Sequence, residues 1–198
     1  MQVILFDLDG TMLPMDQDKF TERYFSLLAK KLMPYGYQPE ELIKAIWAGT
    51  KAMVCNDGTD KNETVFWNKF QSIYGDKVKE HKEVFDEFYE RDFIGAKDAC
   101  GYHPKAQELV AYLKSKGYRL AFATNPIFPE TATRQRILWA GLNPEDFEWI
   151  TTYENSTHCK PNPSYYIDIC NQLGVSPKEC LMIGNDVTED MVAETIGM

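Results

Sequence analysis

The chain has 198 residues, of which 44% are apolar and 26% charged, with a formal net charge of -9. That length accommodates one core domain plus a smaller insertion, and the composition is that of a globular protein. The acidic excess, with no basic run against it, argues against a nucleic-acid partner, because binding along a phosphate backbone needs clustered Lys and Arg.

Val3-Ile4-Leu5-Phe6 is a short, continuous apolar run followed at once by Asp7-Leu8-Asp9-Gly10. This is the pattern of a buried parallel strand that ends at a functional edge. Residues 15–98 carry no convincing strand. Apolar residues recur there at helical spacing, as Phe20, Tyr24, Leu27 and Leu28, then Leu42, Ala45 and Ile46, then Phe66, Phe70 and Ile73, then Val84, Phe85, Phe88 and Tyr89. We expect an inserted helical module. Its aromatics (Phe66, Trp67, Phe70, Tyr74, Phe85, Phe88 and Tyr89) are expected in the module's own core rather than around a ligand. Lys51, Asn56, Asp57 and Asp60 are expected on a charged surface loop.

After Gly101 helix and strand alternate. Ala106, Leu109, Val110 and Leu113 mark a helix with Pro104 in its first turn and Gly117 at its end. A second strand is predicted over residues 119–123 and a helix over 130–140, closed by Gly141. A third strand follows at 149–152, then a helix at Pro163–Leu173 closed by Gly174. A fourth strand at 181–183 precedes a last helix at 188–196, before Gly197. The fold class is therefore α/β, with a doubly wound parallel sheet that binds ligands at the carboxyl ends of its strands.

No stretch approaches the length of a membrane span, and residues 1–6 are too short for a signal h-region, so the expected location is cytoplasmic with no membrane partner. The five Cys are odd in number with no CxxC pair, which favours reduced thiols over a disulfide framework. The three His are scattered and suggest no zinc site.

The chemistry stands just past each strand. Strand one is followed by Asp7-Leu8-Asp9-Gly10-Thr11, strand two by Thr124-Asn125, strand three by Lys160-Pro161, and strand four by Gly184-Asn185-Asp186 with Asp190 four residues on. Singly, each has a plainer reading: a turn for Asp-x-Asp-Gly, a solvated side chain for Lys160, a helix cap for Asp186. Together, at successive strand ends, they face one crevice. Crowded carboxylates repel unless a cation sits among them, and hard oxygen donors suit Mg2+. One carboxylate can then attack phosphorus while a second protonates the leaving oxygen and later deprotonates water. Lys160, Thr124 and backbone N–H groups would hold the phosphoryl oxygens.

In order and separation, these four strings resemble the signature motifs of the haloacid dehalogenase-like (HAD) superfamily. The resemblance covers a Rossmann-like core, residues 1–14 and 99–198, and the insert at 15–98 resembles that family's C1-type helical cap. It implies that Asp7 is the nucleophile and a Mg2+ ligand. Asp9 would be the general acid/base, its carbonyl also on the metal, and Thr11 would orient it. Gly10 would leave room for the phosphoryl group, and Thr124 and Asn125 would bind it. Lys160 would offset negative charge on nucleophile and phosphate, while Asp186 and Asp190 would complete the metal site. The string Lys160-Pro-Asn-Pro-x-x-Tyr166 further resembles the branch containing phosphoglycolate phosphatases and β-phosphoglucomutases.

Asp9 separates reactions within that family, since its dehalogenases and phosphonatases lack this acid/base. The implied function is a phosphatase acting on a small phosphorylated metabolite. The alternatives are a phosphomutase of the β-phosphoglucomutase type and a non-catalytic domain that binds a phosphate ligand. The family's core usually continues into another strand after the last motif, whereas this chain ends at Met198, so the core is expected to lack that strand. A sheet edge left unpaired in this way would favour association, and the expected state is a monomer or weak homodimer.

Overall fold

The computed structural model describes residues 2–198. Four parallel strands form one sheet in the order β3-β2-β1-β4. They are β1 (Val3–Phe6), β2 (Arg119–Phe122), β3 (Trp149–Ile150) and β4 (Cys180–Ile183). In β1 every residue is buried, because it is an inner strand, flanked by β2 and β4, with a covered layer on each face. The two faces follow from the two-residue period of a strand. Ile4, Phe6, Leu120 and Phe122 point into the larger core, which continues into the insert. Val3, Leu5, Ala121 and Ala123 pack on the other side, against Tyr165, Tyr166, Ile169 and Leu173 of helix α7 (Pro163–Leu173).

Parallel register brings the carboxyl ends together. Phe6 lies opposite both Phe122 and Ile183. The ladder runs one bond further on each side: Asp7 N donates to Ile183 O at 2.8 Å, and Ala123 N to Phe6 O at 2.7 Å. The chain leaves β1 for β2 and β3 on one side and reaches β4 on the other. The crevice at the top of β1 is therefore the point where strand order reverses, the usual ligand site of such sheets.

The insert leaves and rejoins the core through a narrow neck. Met15 forms an antiparallel bridge with Cys100, and Gly101 N donates to Pro14 O at 2.7 Å. Beyond the neck lie α1 (Gln17–Leu32), α2 (Pro39–Val54), α3 (Asn62–Tyr74) and α4 (Lys77–Glu87). A π-helical turn at Phe88–Asp92 and a 3-10 helix at Phe93–Ala99 return the chain. Asp16 caps α1, its carboxylate accepting from Lys19 N at 3.2 Å. Helix α5 (Lys105–Ser115) and helix α6 (Glu130–Trp139) complete the core domain. No helix of the described residues is long and apolar enough to cross a membrane.

Two expected elements differ. The third strand is two residues long rather than four: Thr152 N turns to the Asn155 side chain and Tyr153 N to Phe128 O, which takes the backbone off the sheet. The last helix is a 3-10 helix at Met191–Ile196 rather than an α-helix over 188–196. Asp186 Oδ1 caps the segment by accepting from Thr188 N and Glu189 N, but the bonds beyond are of the i to i+3 kind, Ala193 N to Asp190 O at 3.2 Å and Gly197 N to Glu194 O at 2.9 Å.

Phe70 is fully buried at the centre of the insert, with Tyr37, Phe66, Trp67, Tyr74 and Phe85 around its ring. Phe70→Ala is expected to cost about 3–5 kcal/mol in urea unfolding. Ile73, one turn on and 47% exposed, is expected to change stability by only about 0.5 kcal/mol on truncation to Ala.

Candidate active site

Asp7 stands one residue past β1, its backbone fixed by the bond to Ile183 O. Its carboxylate is buried. Oδ1 accepts from Lys160 Nζ at 2.8 Å, and Oδ2 accepts from the Thr11 hydroxyl at 3.1 Å. Burial pushes this carboxyl above its ordinary pKa; the Lys160 ammonium pulls it back, and the charges of Asp190 and Asp9 add to the rise. The Asn185 carboxamide faces only acceptors, so its nitrogen is the atom turned towards them. That nitrogen lies 3.3 Å from Asp7 Oδ2, 3.3 Å from the Asp9 carbonyl and 3.0 Å from the Thr11 hydroxyl.

Lys160 comes from the loop after β3 and lies almost fully buried under Asp7. Its Nζ also donates to Asp190 Oδ1 at 2.6 Å, and Asp190 Oδ2 accepts from Asp186 N at 3.0 Å. This close packing requires glycine at 184, where a Cβ would sit 2.0 Å from Asp190 Oδ2. Gly10 is a second such point. Its φ of +86° suits only glycine, and a Cβ there would lie 2.7 Å from the end of the Asn185 carboxamide.

Asp9 is held differently. Its Oδ2 is paired with Arg136 Nη1, whereas its Oδ1 is buried with no hydrogen-bond partner among the described residues. Arg136, 1% exposed, is fixed by the Ala132 carbonyl, the Thr133 hydroxyl and the face of Phe128, whose centroid is 4.5 Å from the guanidinium carbon. Thr124 and Asn125 follow β2. The Thr124 carbonyl accepts from the Thr151 hydroxyl at 2.7 Å and the Tyr165 hydroxyl at 2.8 Å, which anchors that loop. Asn125 Nδ2 donates to Glu189 at 3.2 Å, leaving Asn125 Oδ1 buried and unpartnered among the described residues. Burial raises the Glu189 carboxyl above its ordinary value, the nearby Lys160 opposing.

Asp7, Asp9, Thr124, Asn125, Asp186 and Asp190 line one cavity of about 360 Å³. Lys160 is beneath its floor, and Thr11 buttresses Asp7 from the side. Three contributors were not expected from the sequence. Asn185 sits within the Gly-Asn-Asp string and was readable from it. Arg136 shares a buried helix face with Ala132, Thr133 and Ile137, and an Arg within such a stripe is itself a signal. Glu189 carries no comparable mark. Two expectations are corrected: the Thr11 hydroxyl bonds Asp7 rather than orienting Asp9, and Phe66, Trp67, Phe85 and Tyr89 are not only core of the insert, since they also form wall of the cavity. Of the expected surface residues, Asn56 donates to Asp60 O and to Asn62 Oδ1, away from the cavity wall.

The donor set suits Mg2+ in kind. Five carboxylates, Asp7, Asp9, Asp186, Glu189 and Asp190, meet two cations, Lys160 and Arg136, so the crevice carries excess negative charge beside hard oxygen donors. As placed, no group of three acidic, His or Cys side chains among the described residues converges as a ready metal cage. Asp190 is committed to Lys160 and Asp186 N, and one Asp186 oxygen is committed to its own turn.

A family model for haloacid dehalogenase-like hydrolases matches residues 1–193. A phosphoglycolate phosphatase of Aquifex aeolicus is 28% identical over 185 residues, which cover 93% of this chain and 76% of that protein. Among solved structures, a 2-haloacid dehalogenase from Pseudomonas syringae pv. tomato aligns with a TM-score of 0.60 at 16% identity, over 100% of this chain and 84% of the other. A HAD family enzyme from Bacteroides thetaiotaomicron, in complex with magnesium and inorganic phosphate, aligns with a TM-score of 0.56 at 16% identity, over 100% and 91%. Dehalogenase and phosphate-binding enzyme align about equally well, so the fold alone does not choose between reactions.

The Lys160 contact makes a measurable prediction. Removing the ammonium in Lys160→Met takes away the main influence holding the Asp7 carboxyl down against burial. The Asp7 titration midpoint, followed by carboxyl ¹³C NMR, should move to higher pH than in the wild type. An unchanged or lowered midpoint would contradict this account of the pair.

Proposed function

The chain belongs to the haloacid dehalogenase-like hydrolases, and on that basis we propose that it is a Mg2+-dependent phosphatase of a small phosphorylated metabolite, acting through an aspartyl-phosphate on Asp7. The observation that carries this reading is the pair of carboxylates on one cavity wall in two different states. Asp7 is tied to a buried ammonium, which favours the ionised, nucleophilic form. Asp9 has one oxygen fixed by Arg136 and the other without a partner. A reaction that expels halide has no use for the second group.

The residues divide the work as follows. An Asp7 oxygen attacks phosphorus, and the bond from phosphorus to the leaving oxygen breaks. Asp9, through its unpartnered Oδ1, gives that oxygen its proton. In the second half Asp9 takes a proton from water, the water oxygen attacks phosphorus, and the bond to Asp7 breaks, restoring the carboxylate. Thr11 and Asn185 hold the Asp7 side chain in line, and Lys160 offsets its charge as the dianionic group approaches. The Thr124 hydroxyl and backbone N–H groups past β1 and β2 are the groups set to grip the phosphoryl oxygens, and Asn125 Nδ2 joins them only by leaving Glu189. Mg2+, when bound by the Asp7 and Asp186 carboxylates and the Asp9 carbonyl with Asp190 behind, would neutralise the phosphoryl oxygens and polarise phosphorus for attack.

Phosphatase is favoured over phosphomutase by the cavity wall, which among the described residues carries no Lys, Arg or His. A mutase has to hold a sugar with a second phosphate, and a dianion there would lack a counter-charge.

Hydrolysis of p-nitrophenyl phosphate by the purified chain is expected to require Mg2+ and to stop on chelation. Asp7→Asn should form no phosphoenzyme and show no turnover while its circular dichroism is retained. Asp9→Asn should lower single-turnover rates by ~10²–10⁴. Wild-type single-turnover rates in either variant would overturn the assignment.

A further inference from the structure

The cavity extends from Asp7 and Asp9 into the insert, and its two ends differ in chemistry. The end at the sheet edge is acidic. The end within the insert is walled by Tyr24, Trp67, Phe85 and Tyr89, with Phe128 and Tyr153 from the core. Every ionisable side chain on the wall other than tyrosine is an acid: Asp7, Asp9, Asp186, Glu189 and Asp190. The nearest guanidinium, Arg136, is already paired with Asp9 and stacked on Phe128. The neutral donors on the insert side are Gln17, Thr21 and Thr50 besides the aromatic ones. The Trp67 indole N–H is buried beside the Tyr153 hydroxyl without a well-formed hydrogen bond to it. Tyr24 and Tyr89 share one hydrogen bond between their hydroxyls at 2.8 Å, which leaves one hydroxyl proton to donate.

Resting on the phosphatase reading, we propose that the leaving group taken by this site is uncharged and mainly aromatic or apolar. A second anionic group on the substrate, such as a carboxylate beside the ester, would be desolvated among carboxylates and rings with no cation to meet it. An aromatic leaving group would replace water on six rings and could accept from Trp67 or the tyrosine pair through one neutral oxygen. A cavity of about 360 Å³ also holds considerably more than a two-carbon acid. In this respect the chain departs from the Aquifex relative, whose name specifies phosphoglycolate.

The test compares esters with unactivated leaving groups on the full chain with Mg2+: 2-phenylethyl phosphate, n-hexyl phosphate, glycerol 3-phosphate and 2-phosphoglycolate, with p-nitrophenyl phosphate as the control for turnover. We expect kcat/KM for 2-phenylethyl phosphate at least tenfold above that for 2-phosphoglycolate, most of it in KM. Trp67→Ala should raise KM for 2-phenylethyl phosphate at least fivefold. Thr50→Lys places a cation on a half-buried position of the same wall and should shift the ratio towards 2-phosphoglycolate. Equal or higher kcat/KM for 2-phosphoglycolate overturns the proposal. So does absent turnover of 2-phenylethyl phosphate while p-nitrophenyl phosphate is hydrolysed. If p-nitrophenyl phosphate itself is not hydrolysed, the phosphatase reading fails first and the proposal falls with it.

Discussion

The structure of the crevice depends on one buried ammonium. Lys160 Nζ lies between Asp7 Oδ1 and Asp190 Oδ1, and its side chain has no solvent exposure. An isolated charge at that depth would cost several kcal/mol, so the position is tenable only with both carboxylates in place. The three residues come from different segments: past β1, past β3 and past β4. The ion triad therefore ties together three points of the sheet's carboxyl edge. Gly184 belongs to the same constraint, since only a residue without Cβ lets Asp190 approach. Asp190 in turn holds Asp186 N, and Asp186 shapes the turn that follows.

A second buried cation repeats the principle with a different outcome. Arg136 satisfies one oxygen of Asp9 and leaves the other bare. The guanidinium is rigid and stacked, so it fixes the carboxylate's orientation as well as its charge. The two acids share a wall, but one is neutralised from below and the other from the side. That difference in surroundings is the physical basis for giving them different roles. With both cations consumed by these pairs, the remaining Asp186 and Glu189 leave the crevice short of positive charge, which is the argument for a divalent ion.

Much of this was legible in the sequence because its signals are local. The run Val3 to Phe6 could only be a strand buried on both faces, and Pro163 to Leu173 carries helix start and stop signals at each end. The motif residues were legible because doubly wound sheets gather strand ends, so order along the chain becomes proximity. What was not legible depends on distant partners. Arg136 meets Asp9 across 127 residues of sequence, and on a helix an Arg reads as solvated until its face is known to be buried. The last helix begins as expected, with Asp186 capping the amides of Thr188 and Glu189, but it continues in i to i+3 bonds rather than as an α-helix. The aromatics of the insert illustrate a further limit. Periodicity shows that Phe66, Phe85 and Tyr89 turn inward, but a residue facing a cavity and a residue facing a packed core carry the same pattern.

That ambiguity has a consequence for how such a site can vary. The groups proposed to handle the phosphoryl centre stand on the sheet edge, anchored by buried ion pairs, and substitution there disturbs charge balance at several points at once. The groups proposed to meet the rest of the substrate stand mostly on α1, α2, α3, α4 and the turn after it, where one ring exchanged for another changes shape without unpairing a charge. On the proposed function, selectivity and chemistry are carried by different segments joined at the Met15–Cys100 bridge. The same edge can remain fixed while the wall facing it is remade for another leaving group. A cavity that is ionic at the sheet edge and aromatic within the insert is one outcome of that separation.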